Sequence, residues 1–287
     1  MNTMKRLNIL VTGGAGFVGT NLIKKLLNSG HTVTSIDNYS TGYDTNHVDG
    51  CEYLTGDITD KEVIKTLPTN IDVMFHLAAL ARIQPSLKNP TKTIENNFNG
   101  SLNVLEYARE NDIQVIYAGS SSMHHGLYGS PYAWSKFGGE ELCKVYSSVY
   151  DLNTTICRFY NVYGPHQLKT GTYATVLGIF LDQYESGKSL TITGDGEQRR
   201  DFTHIDDIVD ALYLCIGKDF RAEFFELGRG VNYSINELAD MFTLAKYVHI
   251  PARPGEYPFT LCEDKNAFEK LGWVPTRNLK DYVESQL

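Results

Sequence analysis

Tyr132-Ala133-Trp134-Ser135-Lys136 sets a phenol and an ammonium four residues apart. On a helix, positions i and i+4 share a face, so both groups can point into one cavity. A positive charge there favours the phenolate and lowers a tyrosine pKa that otherwise lies near ~10. A phenol tuned in that way is a usable general base for an alcohol. The same spacing is common on ordinary helices, so it gains meaning only from its neighbours. Here those are a glycine-rich segment far upstream and a run of serines at 120–122.

The apolar run Leu7–Val11 leads into Thr12-Gly13-Gly14-Ala15-Gly16-Phe17-Val18-Gly19 and then directly into a helical pattern. The segment satisfies both G-x-G-x-x-G and G-x-x-G-x-x-G. Glycines there allow a tight turn and a close approach of backbone to a pyrophosphate, whose charge sits at the helix N-terminus. Gly13, Gly16, Phe17, Val18 and Gly19 are therefore candidate cofactor contacts. The next β-rich run ends in Ile36-Asp37-Asn38, close to the distance expected of a ribose-binding carboxylate. Asp37 would accept from a 2′-hydroxyl and repel a 2′-phosphate, which favours NAD over NADP. Gly56-Asp57-Ile58 and Leu77-Ala78-Ala79 fall where further strands end, with Asp57 placed for the adenine edge and the alanines leaving room for the cofactor. Asn97 falls near the cofactor's middle.

The elements that must hold these groups alternate. Strands are expected at Leu7–Val11, Thr32–Ile36, Glu52–Leu54, Val73–Leu77, Gln114–Ala118 and Thr154–Phe159. Helices are expected at Phe17–Leu27, Ile94–Ala108, Tyr132–Tyr150 and Ile208–Ile216. Such alternation argues for an α/β fold, a doubly wound parallel sheet of Rossmann type. After Gly164-Pro165 the pattern loosens into a smaller α/β annex that would bind substrate over the carboxyl ends of the strands. The expected division is 1–165 for the NAD-binding domain, with 203–228 returning to it, and 166–287 for the annex.

Composition excludes several classes. The 287 residues carry a net charge of −8 with no basic run, which speaks against a nucleic-acid partner. The apolar run after Met1-Asn2-Thr3-Met4-Lys5-Arg6 is too short for a signal peptide, and no later run reaches a membrane span. Five scattered cysteines without Cys-x-x-Cys spacing suggest a reducing, cytoplasmic setting. No metal site is read from the eight histidines.

Taken together, the motifs resemble the extended short-chain dehydrogenase/reductase family, in its NAD-dependent nucleotide-sugar epimerase/dehydratase branch. Similarity is greatest to UDP-glucose/UDP-N-acetylglucosamine 4-epimerases. The resemblance rests on the glycine segment, Phe75-His76-Leu77-Ala78-Ala79, the serines and Pro131–Lys136. It continues through Arg158-Phe159-Tyr160-Asn161-Val162-Tyr163-Gly164-Pro165, Gly194–Phe202, Arg253-Pro254-Gly255-Glu256 and Leu271–Pro275. It implies a Ser/Tyr/Lys catalytic set of Ser121, Tyr132 and Lys136, with Ser122 and Ser120 as alternatives for the serine. It also implies that Asn161, Arg200 and Arg253, with Ser122 and Thr191, hold a nucleoside-diphosphate sugar; paired guanidiniums suit a diphosphate. Relatives commonly form two-fold dimers through their long helices, so a homodimer is expected.

Dehydratases of this branch resemble one another in a Thr-Asp-Glu where this chain has Ser121-Ser122-Met123. Met123 can serve as neither acid nor base, so the expected reaction is epimerisation at C4 through a 4-keto sugar. A related dehydratase or reductase, or a non-catalytic NAD-binding protein, remains the alternative. The chain also departs from the family: the loop between Ser121 and Tyr132 is short, and His124-His125 fall within it as exposed loop histidines. Thr193 replaces a frequent aromatic beside the base, and Thr260 would leave space for an N-acetyl group.

Overall fold

The computed structural model describes residues 5–287, apart from the side chain of His125. The leader reading therefore falls largely on residues 1–4, outside the described residues. In the first half, β1 (Asn8–Thr12), α1 (Phe17–Asn28), β2 (Thr32–Asp37), β3 (Cys51–Thr55), α2 (Lys61–Ile64) and β4 (Val73–His76) are followed by α3 (Ile83–Lys88) and α4 (Pro90–Ile94). Then come α5 (Gly100–Glu110), β5 (Gln114–Ser120), α6 (Pro131–Tyr150) and β6 (Thr154–Phe159). The second half adds β7 (Val162–Tyr163), α7 (Val176–Glu185), β8 (Leu190–Thr193), β9 (Arg199–Asp201), β10 (Thr203–His204) and α8 (Ile205–Leu214). It ends with β11 (Glu223–Leu227), β12 (Asn232–Ser234), α9 (Ile235–Asp240), β13 (Tyr247–Ile250) and α10 (Leu279–Glu284).

Seven strands form one parallel sheet in the order β11-β6-β5-β4-β1-β2-β3. The order reverses between β1 and β4, and a crevice opens beyond their carboxyl ends, the usual ligand position in such sheets. Each face buries its own core. Leu22, Ile23 and Leu26 of α1 join Ile208 and Leu212 of α8 on one face. Leu105 and Ala108 of α5 join Cys143 and Tyr146 of α6 on the other. A third core gathers Leu177, Phe180 and Leu181 of α7 with Leu190, Ile192 and Leu238 beside three two-stranded pairings. Among the described residues no helix is long and apolar enough to cross a membrane.

Two expected helices differ. The pattern read as Ile94–Ala108 is α4 and α5 joined by a π-helical turn, Glu95–Asn99, which accommodates an extra residue and turns Asn97 into the interior. The helix expected from Ile208 begins earlier, at Ile205, where the His204 side chain accepts from Asp206 N.

Candidate active site

The glycine segment closes tightly at the end of β1. Gly13 has φ +76°, a conformation that penalises a side chain, and a Cβ there would lie 2.9 Å from the Ala78 backbone. A Cβ on Gly19 would lie 2.3 Å from Gly13 O, so only glycine lets the first turn of α1 sit on the loop. No side chain caps α1 at Gly16 and no acidic residue occupies its first turn, which leaves backbone N–H groups open to an anion. Asp37, buried at the end of β2, accepts from Ala15 N (2.9 Å) and Tyr39 N (2.8 Å), and burial pushes its carboxyl above the usual range.

A buried polar chain ties this loop to β4. Ala78 N donates to Thr12 Oγ1 (3.2 Å), which lies 2.7 Å from His76 Nδ1; His76 Nε2 lies 2.9 Å from Ser101 Oγ, which donates to Asn97 O (2.6 Å). Ser101 uses its proton on Asn97, so His76 must donate from Nε2 and accept at Nδ1 from Thr12. Burial, with the nearby Lys136 charge, pushes His76 down to about 3 and keeps it neutral.

A cavity of 540 Å³ runs from this loop over the serines to the annex. Its wall includes Gly13, Gly16, Phe17, Val18, Gly19, Asp37, Asn38, Ile58, Leu77, Ala78 and Ala79 at one end, and Ser120, Ser121, Ser122 and Tyr132 in the middle. Asn161, Thr191, Arg200 and Arg253 line the other end. Three expected contacts are not on that wall. Asp57 accepts from Asn38 Nδ2 (2.8 Å) and from Thr59. The Asn97 carboxamide clasps Leu80 N and O and Ser135 Oγ. Lys136 is buried beneath, its Nζ 4.2 Å from the centre of the Tyr117 ring.

The catalytic candidates are set by α6. Ser130 caps it by accepting from Ala133 N (3.1 Å), and Pro131 starts it, which presents Tyr132 in the first turn. Gly139 admits the Tyr117 hydroxyl, which donates to Lys136 O; a Cβ there would lie 2.1 Å from it. Tyr132 Oη donates to Ser120 Oγ (3.3 Å), and Ser120 Oγ donates to Ser122 Oγ (2.9 Å). The hydroxyl that meets Tyr132 is thus Ser120, one of the alternatives, with Ser121 and Ser122 on the same wall.

The charges differ from the simple Tyr/Lys picture. Burial raises the Tyr132 pKa, opposed by the Ser120 hydroxyl and by the Arg82 guanidinium. Burial lowers Lys136 to about 8, opposed by the field of Glu140. A second cation, the Arg82 guanidinium, half-buried on the same wall, favours the phenolate of Tyr132. Sequence reasoning missed Arg82, although a guanidinium six residues beyond the end of β4 was a usable signal. It also missed Glu140, which follows Lys136 at i+4 and so had to share its face.

In the annex, Arg200 Nη1 donates to Arg199 O and Tyr257 O, both at 2.8 Å, and burial lowers its pKa against the field of Glu256. Arg253 is exposed at the rim; Gln84 Nε2 donates to the adjacent Pro254 O (2.6 Å) and so fastens that loop to α3. Asn161 Nδ2 donates to Asp201 O and Thr260 Oγ1, both at 2.9 Å. The Thr191 hydroxyl accepts from Gln183 Nε2 (2.9 Å). His124 is exposed, as expected, and its Nε2 lies 2.7 Å from the buried carboxylate of Glu226, a partner that the sequence did not show. The same reading of His125 falls on a side chain outside the described ones.

The model of one family, the NAD dependent epimerase/dehydratase family, matches residues 9–228. The chain belongs to that family. Its cofactor is NAD. The chain is similar to a putative UDP-glucose 4-epimerase of Methanocaldococcus jannaschii, 32% identical over 96% of each chain. It is also similar to a UDP-N-acetyl-alpha-D-glucosaminuronate decarboxylase of Bacillus cytotoxicus, 34% identical over 84% of this chain and 83% of that one. Among solved structures, the UDP-glucose 4-epimerase of Thermotoga maritima with UDP-glucose superposes with a TM-score of 0.91 at 30% identity, covering 97% of this chain and 96% of that one.

Proposed function

We propose that this protein epimerises a nucleoside-diphosphate sugar at C4, a UDP-hexose or UDP-N-acetylhexosamine, through a 4-keto intermediate. The observation that carries the reading is that one cavity is lined by the glycine cradle, by Tyr132 with the serines, and by Arg200 and Arg253. NAD, when bound, accepts and returns the hydride at C4. Gly13, Gly16, Gly19 and the open N-terminus of α1 would hold its pyrophosphate, and Asp37 its ribose. Arg200 and Arg253 hold the sugar's diphosphate, with Asn161 and Thr191 beside them. Tyr132 removes the 4-hydroxyl proton, and a serine of 120–122 hydrogen-bonds the same oxygen. Lys136, buried behind Tyr132, and Arg82 keep the local field positive. The 4-keto sugar then turns its other face, and Tyr132 returns the proton.

Dehydration and decarboxylation need a further acid or base beside the serines, and Met123 supplies none. Glu256, the acid of the annex wall, faces Arg200 instead. Relatives named as 4-epimerases, including those of M. jannaschii and Mycolicibacterium smegmatis, support the same reaction.

The division into an NAD-binding domain (1–165 with 203–228) and a substrate annex (166–287) belongs to this reading, as does a cytoplasmic setting, which the five free cysteines support. A homodimer is supported by the apolar strip of Phe98, Trp134, Phe137, Leu142 and Val145, with Trp134 39% and Val145 49% exposed. Incubation with UDP-, dTDP-, GDP- and CDP-sugars, followed by NMR, should yield a 4-epimer from a UDP-sugar without net change in NAD. Net oxidation or reduction of added cofactor, or loss of water or carbon dioxide, would refute the proposal.

A further inference from the structure

One buried guanidinium grips both ends of the turn that carries the serines. Arg158 of β6 donates from Nε and Nη2 to Glu140 Oε2 (2.9 and 2.7 Å) and from Nη1 to Glu226 Oε1 (2.7 Å). Glu140, on α6, accepts the Ser120 amide at Oε1 (3.3 Å), the near end of the turn. Glu226, on β11, meets His124 Nε2 at 2.7 Å, the far end. The fit needs Gly119, whose Cβ would lie 2.6 Å from Glu140 Oε1. All three bracket residues are nearly inaccessible, with side chains 0–4% exposed, whereas His124 is 40% exposed.

We propose that His124 is a positioning residue whose imidazolium, clasped to Glu226, holds the Ser120–His125 turn against the Arg158–Glu140 bracket so that the serines meet the sugar oxygen. This rests on the C4-epimerase reading of the same site. The loop between Ser121 and Tyr132 is short, so the turn gains its support from this clasp rather than from a longer pocket wall. Two carboxylates share one guanidinium, which is costly in the interior unless each has a further cation. Glu226 faces His124 from β11, while Glu140 faces Lys136 along α6.

The charged groups that act on His124 include Glu226, Arg158 of β6 and Glu140 of α6. The hydrogen bond to Glu226 raises its pKa above the ordinary 6.5, against burial and the Arg158 charge. Below that raised value the clasp is ionic; as pH rises through it, a neutral hydrogen bond remains and the hold weakens.

The test compares wild type with His124→Ala and His124→Arg across pH 6 to 9, with the nucleotide sugar that the enzyme turns over. Dividing one rate by the other cancels the titration of Tyr132, which both share. His124→Ala should lose about tenfold or more in kcat near neutrality, the lower end of the gap between a charge-assisted and an absent hydrogen bond, with KM and bound NAD unchanged. His124→Arg should restore kcat, and the wild-type to His124→Arg ratio should fall as pH rises by a smaller factor than the His124→Ala loss, because a neutral hydrogen bond remains. Hydrogen exchange at the Ser120–Ser122 amides should quicken in His124→Ala, and this readout needs no turnover. Wild-type kcat and exchange in His124→Ala, or a ratio flat with pH, would overturn the proposal. If no sugar is turned over but exchange quickens, the clasp stands and the reaction assignment fails.

Discussion

Replacing Arg82 by Met tests how Tyr132 is charged. The Lys136 ammonium sits over the Tyr117 ring and is pushed down to about 8, so it is charged at neutral pH but loses that charge over the alkaline range in which a raised phenol ionises. Arg82 has no carboxylate within salt-bridge distance among the described residues, and its charge acts on Tyr132. Two unit charges at ~5 Å in a medium of effective dielectric ~20 interact by about 3 kcal/mol, or about two pKa units. Arg82 is only half-buried, and solvent screening reduces that to about one unit. Loss of the cation raises the Tyr132 pKa, so its base form becomes available only at higher pH. The acid limb of log kcat/KM should therefore move up by about one unit, about tenfold slower on that limb and converging with wild type at high pH. Arg82→Lys should recover part of the shift. The assay is a pH–rate profile of the two variants beside wild type. Superimposable limbs would refute the reasoning; a higher KM with an unmoved limb would place Arg82 on the substrate instead.

Tyr132→Phe keeps the ring and deletes the proton carrier, so kcat should fall by ~10²–10⁴ while NAD remains bound, as read by turnover and by cofactor released on denaturation. Gly19→Ala forces a Cβ to 2.3 Å from Gly13 O and 2.6 Å from Gly14 Cα, both backbone atoms. The purified variant should carry NAD at less than about a tenth of wild-type content, the cost of opening a phosphate cradle. Arg158→Met strands Glu140 and Glu226, which should destabilise the fold by about 3–5 kcal/mol. Removing the cation raises both carboxyl pKa values in the folded state above their unfolded ones. The penalty is then fullest at high pH and shrinks as pH falls toward those raised values, so the Tm deficit should narrow between pH 8 and pH 5.

Much of this architecture was legible because it is periodic or compositional. Strands β1, β2, β4, β5 and β6 are short β-branched runs between turn residues, and each lies within two residues of its expected place. The glycine spacing located the cradle because each glycine answers a steric need in one short stretch. What escaped depends on contacts between elements distant in sequence. The π-helical turn at Glu95–Asn99 adds a single residue that no period reveals, and it commits Asn97 to Leu80 rather than to the cavity. The i+4 rule placed Lys136 on the face of Tyr132, but a helix face leaves the rotamer open, and Tyr117 captures the ammonium from beneath. His124 read as a loop histidine because Glu226 is 102 positions away. The resemblance favoured Ser121, whereas the end of β5 brings Ser120 to Tyr132.

In the proposed reaction one hydride leaves C4 and returns to the opposite face without exchanging with solvent. This is tested most directly with a UDP-sugar deuterated at C4, incubated in ordinary water and followed by NMR. Full retention of deuterium at C4 of the 4-epimer is the predicted result. Its replacement by solvent hydrogen, or product inverted at another carbon, would rule out C4 hydride transfer and return.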